Sequence, residues 1–344
     1  MTKISGALGF GSLALAACAN TSGNTSAVCD PLASDPLVSD PLVSDLLAND
    51  PLASARAAAP SRWAGTVFTI VMENHSRSQI LGASTAPYIN ELANQHAVAE
   101  GYHDAYVHPS EPNYFWMVAG QNFGILDDKD PASHHLGSRS HIADQLELGG
   151  LSWKAYQESM GEPCGLTSHG RYAAKHNPFA YFDDINGWDG TAFHPEARCN
   201  DHVVDYTQLE VDIANHAIPR YVFITPNLDN DMHDGSVTLG DAWLANEVPK
   251  LLATDAYKNG GVIFLLWDEG GGSPASDDPP FIAISPNAAH GMRSQVDYDT
   301  SSYLKTVQNI LGLSELPCAD AVDRTAVTSM TDLFSVPLTP TAGS

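Results

Sequence analysis

The sequence predicts an α/β fold: a mostly parallel central sheet with helices on both faces. Three observations carry that expectation. Short runs rich in β-branched and aromatic residues recur along the chain, they are nearly continuous in apolar character, and helix-like amphipathic stretches separate them. A strand buried on both faces has no polar side to alternate with, so an unbroken apolar run is what a covered parallel sheet requires.

Taken in order, the chain opens on a segment outside that pattern. Lys3 precedes a short apolar stretch over 4–17, too short to span a bilayer comfortably, which reads as a signal peptide. It ends Leu15-Ala16-Ala17-Cys18, which resembles the lipobox of bacterial lipoproteins. That resemblance implies cleavage before Cys18 and lipidation of its thiol. Ordinary cleavage near Ala17, leaving a free cysteine, is the alternative.

Residues 18–60 form the next region, with a five-residue repeat beginning at Asp30, Asp35, Asp40, Asp45 and Asp50. The repeat reads Asp-Pro-Leu-Ala/Val-Ser except at Asp45. A period of five suits neither helix nor strand, and proline in all units but one blocks both. The region is expected to be a tether spanning on the order of 35 Å. A calcium-binding repeat is the sharper alternative, but one carboxylate per unit is thin for that. The globular part is then 61–344, with no further composition shift to divide it, so one domain is expected.

Within it, strands are predicted at 66–72, 103–107, 151–156, 220–225, 261–267 and 281–285. Helices are predicted near 85–97, 112–120, 139–148, 205–216, 240–254 and 300–312. Cysteine use suits an exported protein. Setting Cys18 aside, Cys29, Cys164, Cys199 and Cys318 allow three pairings, and Cys164 with Cys199, in one loop-rich region, is the preferred one. No Cys-x-x-Cys occurs, which argues against a thiolate zinc site.

Composition narrows the function classes. Forty-one Asp and Glu stand against 16 Lys and Arg, a formal net charge of −25 over 344 residues. Nucleic-acid binding draws its affinity largely from basic residues, so it is disfavoured, as is attachment to anionic lipid through a basic patch. With 43% apolar residues the chain can bury a sizeable core. What remains is an acidic globular enzyme or binding protein.

The polar clusters then become informative, because each follows a predicted strand. Glu73-Asn74-His75 follow the first, and His108-Pro109-Ser110-Glu111-Pro112-Asn113 the second. Asp229-Asn230-Asp231-Met232-His233-Asp234 come soon after 220–225, and Asp268-Glu269 with three glycines come directly after 261–267. Ligands bind beyond the carboxyl ends of parallel strands, so parallel pairing would bring all four clusters to one edge. Glu73, Asn74, Asp268 and Glu269 offer the oxygen donors that hard divalent cations prefer. Crowded carboxylates need such a cation, or they repel or protonate. Ser110, two residues before Pro112, is placed at a helix start, where backbone N–H groups favour an oxyanion. His176, His233 and His108 are candidates for binding phosphate oxygens or protonating a leaving group. Together these parts point to phosphoryl transfer through a phosphoserine.

The ordered motifs Val71-Met-Glu73-Asn74-His75-Ser76, His108-Pro-Ser110-Glu-Pro-Asn113-Tyr114, Lys175-His176-Asn177-Pro178-Phe179, Asn230-Asp231-Met-His233-Asp234 and Trp267-Asp268-Glu269 resemble the phosphoesterase family. That family joins bacterial acid phosphatases and phospholipases C within the alkaline-phosphatase-like superfamily. The compact layout is most similar to the secreted mycobacterial-type acid phosphatases, which act on phosphomonoesters including phosphoinositides.

The resemblance implies an alkaline-phosphatase-like α/β fold with Ser110 as nucleophile. One divalent metal ion would be held by Glu73, Asn74, Asp268, Glu269 and the Ser110 oxygen. The ligand set favours calcium or magnesium over the His-rich zinc sites of other superfamily members. His176 and His233 would face the phosphate, with Asn113 and His108 binding substrate. Asp231 and Asp234 would orient His233 or support the metal. A phospholipase C-type phosphodiesterase is the second expectation, and a non-catalytic cation-binding surface lipoprotein the third. The expected partners are a phosphate-ester small molecule or phospholipid headgroup, and a membrane through the lipid anchor alone. No nucleic acid is expected. A monomer exported to the bacterial cell envelope, or secreted, completes the expectation.

Overall fold

A computed structural model of the chain describes residues 62–271, 278–314, 316 and 327–338. The expected signal peptide, Cys18, the repeat region, Cys29 and Cys318 lie outside the described residues.

One eight-stranded sheet organises the molecule. Its strands are β1 (Val67–Met72), β2 (Ala97–Ala99), β3 (Trp153–Gln157), β4 (Val203–Asp205), β5 (Tyr221–Thr225), β6 (Val262–Trp267), β7 (Phe281–Ile284) and β8 (Arg293–Ser294), in the spatial order β4-β3-β5-β1-β6-β7-β2-β8. Only β7 runs antiparallel to its neighbours, pairing so with β6 and β2; the other described pairings are parallel. Every residue of β1, β5 and β6 is buried, as their unbroken apolar runs require.

Alternate strand residues feed two cores. Val67, Val71, Phe264 and Leu266 pack on one face with helices α2 (Ser110–Ala119), α3 (Ile142–Leu148) and α6 (Thr300–Leu311). Phe68, Ile70, Leu265 and Trp267 pack on the other with α1 (Pro87–Gln95), α4 (Thr207–Ala214) and α5 (Val237–Leu252). The result is a sheet between two helical layers. Among the described residues no helix is long and apolar enough to cross a membrane. Cys164 and Cys199 form a disulfide, with Cα atoms 5.3 Å apart.

The predicted strand at 103–107 does not form. Tyr102 makes an isolated bridge to Tyr298, and the chain then turns because the Asp104 carboxylate accepts the N–H of Tyr106 at 2.7 Å. Tyr106 takes the left-handed conformation, with φ of 54°. An Asp that satisfies the backbone two residues on competes directly with a ladder. The strand in that part of the chain is β2, three residues lying at the end of what the periodicity predicts as a helix over 85–97. The three-residue β4 and two-residue β8 are too short to carry a periodic signal in the sequence.

Candidate active site

The carboxyl end of β1 and β6 builds the centre of the site. Met72 is in register with Trp267, so the next residues, Glu73 and Asp268, emerge side by side. The Asn74 N–H donates to Oδ1 of Asp268 at 3.1 Å, and the Asp268 N–H to the Met72 carbonyl at 3.0 Å. Asn74 turns the chain away with φ of 50°, a conformation that Asn tolerates better than most residues. Glu73 and Asp268 are both fully buried.

Helix α2 brings in the hydroxyl. It starts at Ser110, behind an extended Pro109, and ends on a left-handed Gly120. All ten residues of this helix are buried, and it packs against α6, α3 and the 3₁₀ turn that carries His176. Ser110 Oγ donates to Oε2 of Glu73 at 3.0 Å, and one turn later Tyr114 donates to Oε1 of the same carboxylate at 2.6 Å.

The loop after β5 supplies the third part. Asn227 accepts the N–H groups of Asp229 and Asn230, and Met232 adopts φ of 81° with its side chain in the core. Asp231 and His233 flank that residue. Asp231 Oδ1 accepts the His233 N–H at 2.7 Å, and its backbone carbonyl accepts the Glu73 N–H at 2.8 Å. His176, on a single 3₁₀ turn, is buried between two acids, Nε2 lying 3.3 Å from Glu73 Oε1 and Nδ1 3.3 Å from Asp231 Oδ2. Its ring stacks on Tyr114 at 5.2 Å between centroids. Glu73, His176 and His233 each offer a ligand atom within 4.8 Å of the others.

The remaining candidates divide. Glu269 Oε2 is held by the Nδ1 atom of His108 and, at 3.2 Å, by the Asn113 amide. His108, Asn113 and Glu269 therefore form one hydrogen-bonded unit beside the central acids. Asp231 and Asp234 have separate roles: buried Asp231 faces His176, whereas half-exposed Asp234 accepts from His233 Nδ1 at 2.8 Å and pairs with Arg171 at 3.0 Å.

Electrostatics explain what this arrangement needs. Burial, followed by the charges of Asp268 and Asp231, pushes the Glu73 carboxyl well above its usual range. Burial and neighbouring Glu269 do the same to Asp268, and burial raises Asp231 to about 7. Burial pushes the His176 imidazole well below its usual range, while the hydrogen bond to Glu269 raises His108. Oδ2 of Asp268, Oδ2 of Asp231 and Nε2 of His176 are buried without a hydrogen-bond partner. Orphaned acceptors on crowded, buried carboxylates fit a divalent cation, which would satisfy them and offset their charge.

Three side chains of the site carry no role in the sequence-based reading. Tyr114 reads there as core or pocket wall, because its ring belongs to an aromatic run; nothing in a sequence shows where its hydroxyl ends. Lys175 donates to Asp128 Oδ2 at 2.8 Å and lies 3.2 Å from His233 Nε2. Asp128 Oδ1 in turn accepts the Glu111 N–H at 3.0 Å, tying Lys175 to the head of α2. Lys175 does sit inside one of the ordered motifs, which was the available signal.

Comparison with known proteins agrees with this architecture. The Phosphoesterase family model matches residues 57–314. The chain is 31% identical over 252 residues to the phosphatidylinositol-3-phosphatase of Mycobacterium tuberculosis, covering 72% of this chain and 77% of that protein. It is 30% identical to an acid phosphatase of Aspergillus fumigatus, covering 65% of this chain but only 50% of that longer protein. Among solved structures, an alkaline phosphatase superfamily protein from Vibrio parahaemolyticus superposes with a TM-score of 0.54 at 10% identity, over 80% of this chain and 73% of that one.

Proposed function

Because the chain belongs to the phosphoesterase family, and is thus a hydrolase acting on phosphoric ester bonds, we propose that it is a metal-dependent phosphomonoesterase of the acid phosphatase type. The observation that carries this is the Ser110 hydroxyl, buried at the head of a helix and donating to Glu73 within a cluster of buried acids. The likeness to a phosphatidylinositol-3-phosphatase supports phosphoinositides as one substrate class.

In this reading Ser110 Oγ attacks phosphorus in line and passes its proton to Glu73 Oε2. The Oγ–P bond forms as the P–O ester bond breaks, and the leaving oxygen takes a proton from solvent to depart as the alcohol. Water then cleaves the phosphoserine and releases inorganic phosphate. The Ser110 N–H at the head of α2 and the His108–Glu269–Asn113 unit position the phosphoryl oxygens, the Glu111 N–H being held by Asp128 and Pro112 having none. Asp234 holds His233 through Nδ1, which turns Nε2 toward the site. Glu73, Asn74, Asp268, Glu269 and the Ser110 oxygen would hold one divalent cation, calcium or magnesium by their oxygen-rich chemistry, which supplies the charge that offsets these acids and favours the serine alkoxide. Lipidation at Cys18, with 18–60 as a tether, places this domain at the cell envelope as a monomer; that part rests on sequence alone.

The test is hydrolysis of p-nitrophenyl phosphate, with its phosphorylcholine diester in parallel and with calcium, magnesium or zinc restored after chelation. Wild type should favour the monoester, and Ser110→Ala should lose activity by about 1,000-fold or more with an unchanged melting curve. Near-normal activity in Ser110→Ala removes it as the nucleophile, and a preference for the diester makes the protein a phospholipase C-type enzyme.

A further inference from the structure

The site holds several carboxylates, and its substrate is itself an anion. Even with one divalent cation bound, Glu73, Asp231, Asp268 and Glu269 leave the pocket short of positive charge. Two cationic side chains of the described residues stand by it. Arg171 is taken by Asp229 at 2.9 Å and Asp234 at 3.0 Å and is half-exposed. Lys175 is the other.

The bonding of Lys175 is specific. An ammonium has three N–H donors and no acceptor. One goes to Asp128 Oδ2 at 2.8 Å, and a second points at His233 Nε2, 3.2 Å away. The tautomer of His233 follows from its other nitrogen. Nδ1 lies 2.8 Å from a carboxylate oxygen of Asp234, which can only accept, and Nε2 faces an ammonium that can only donate, so Nδ1 is the donor to Asp234 and Nε2 the acceptor. Nε2 therefore accepts from Lys175. The third N–H has no partner among the described residues, and the side chain keeps a fifth of its surface open to solvent. Asp128 also binds the Glu111 N–H, so the ammonium is braced against the residue next to Ser110 rather than left on a flexible stem.

We propose that Lys175 is a substrate-binding residue whose remaining N–H takes one anionic phosphoryl oxygen, and that it thereby sets a preference of this site for phosphate monoesters over diesters. The inference rests on the phosphohydrolase reading above. A monoester carries three non-bridging oxygens and at pH 7 is largely a dianion. A diester carries two and a single charge, so an uncharged ester group would face the ammonium. A site built to hydrogen-bond a group discriminates strongly against an analogue lacking it, because a desolvated donor is left unpaired.

Lys175→Met and Lys175→Arg separate this role from a merely structural one. Steady-state kinetics at pH 7 on p-nitrophenyl phosphate and bis(p-nitrophenyl) phosphate are paired with calorimetric binding of inorganic phosphate, on protein checked for its melting curve and metal content. Lys175→Met should lower kcat/KM for the monoester by roughly 100-fold and for the diester by no more than about 3-fold, and should weaken phosphate binding by about 10-fold. Lys175→Arg, which keeps the charge, should recover part of each loss; it carries the test if the methionine variant fails to fold. An equal fall on both esters with unchanged phosphate affinity would make Lys175 a brace alone and overturn the proposal. So would a wild type that prefers the diester. A wild type that neither hydrolyses the monoester nor binds phosphate overturns the phosphohydrolase reading as well, whereas an active wild type with unaltered variants overturns only the lysine.

Discussion

Tyr114 donates its hydroxyl to Oε1 of Glu73 at 2.6 Å, from within the helix that presents Ser110 to Oε2 of the same carboxylate. One helical turn thus places two hydroxyls on one buried acid, since residues four apart share a helix face. The tyrosine ring also stacks on His176, so it fixes two members of the site at once.

Removing that hydroxyl should therefore act through Glu73. Tyr114→Phe is expected to lower activity or metal affinity by about 10-fold or more, the usual size for a group that orients a ligand. A titration of activity against calcium or magnesium checks this, and an unchanged midpoint with full kcat would reject the role.

The central acids should decide metal content. Asp268→Asn combined with Glu269→Gln removes two charges from the proposed donor set and should leave the protein with well under half its metal by elemental analysis. Unchanged stoichiometry would exclude both as ligands.

A pH effect is expected far from the site. His96 is buried at the end of α1, and burial, then neighbouring His290, lower it to about 4. Its folded value lies below the unfolded one, so the unfolded state binds the proton first. Stability from this group is full above about pH 6.5 and is lost as pH falls toward 4, by roughly 1–2 kcal/mol between pH 7 and pH 5. Urea unfolding at both pH values should show a shallower loss in His96→Gln than in wild type; parallel losses would contradict it.

The disulfide closes a loop across 35 positions. Cys164→Ser with Cys199→Ser should cost about 2–4 kcal/mol of unfolding free energy, chiefly by freeing the unfolded chain. Denaturant curves that coincide with those of the oxidised wild type would rule that out.

The sequence by itself determined the layers and the parts. Runs such as Val67–Met72 and Val262–Trp267 are apolar throughout, and only a covered parallel sheet accommodates that. Once the strands are parallel, Glu73 and Asp268 have to share an edge, and Ser110 sits at a helix head because Pro112 tolerates the first turn. Local pattern is enough for such statements, as each depends on neighbours in the chain.

Tertiary structure decided the rest. His108 reaches the edge from a loop rather than a strand, and Ser110 from the helix that follows, because Asp104 spends its carboxylate on the Tyr106 N–H and, at 3.2 Å, on that of Gly270. The division of labour between Asp231 and Asp234 depends on burial, which three residues of spacing do not encode. Tyr114 and Lys175 owe their places to contacts 41 and 58 residues away, with Glu73 and His233. Hydrogen bonds across such separations form only after the sheet has brought distant strand ends together, so no periodicity in the chain announces them.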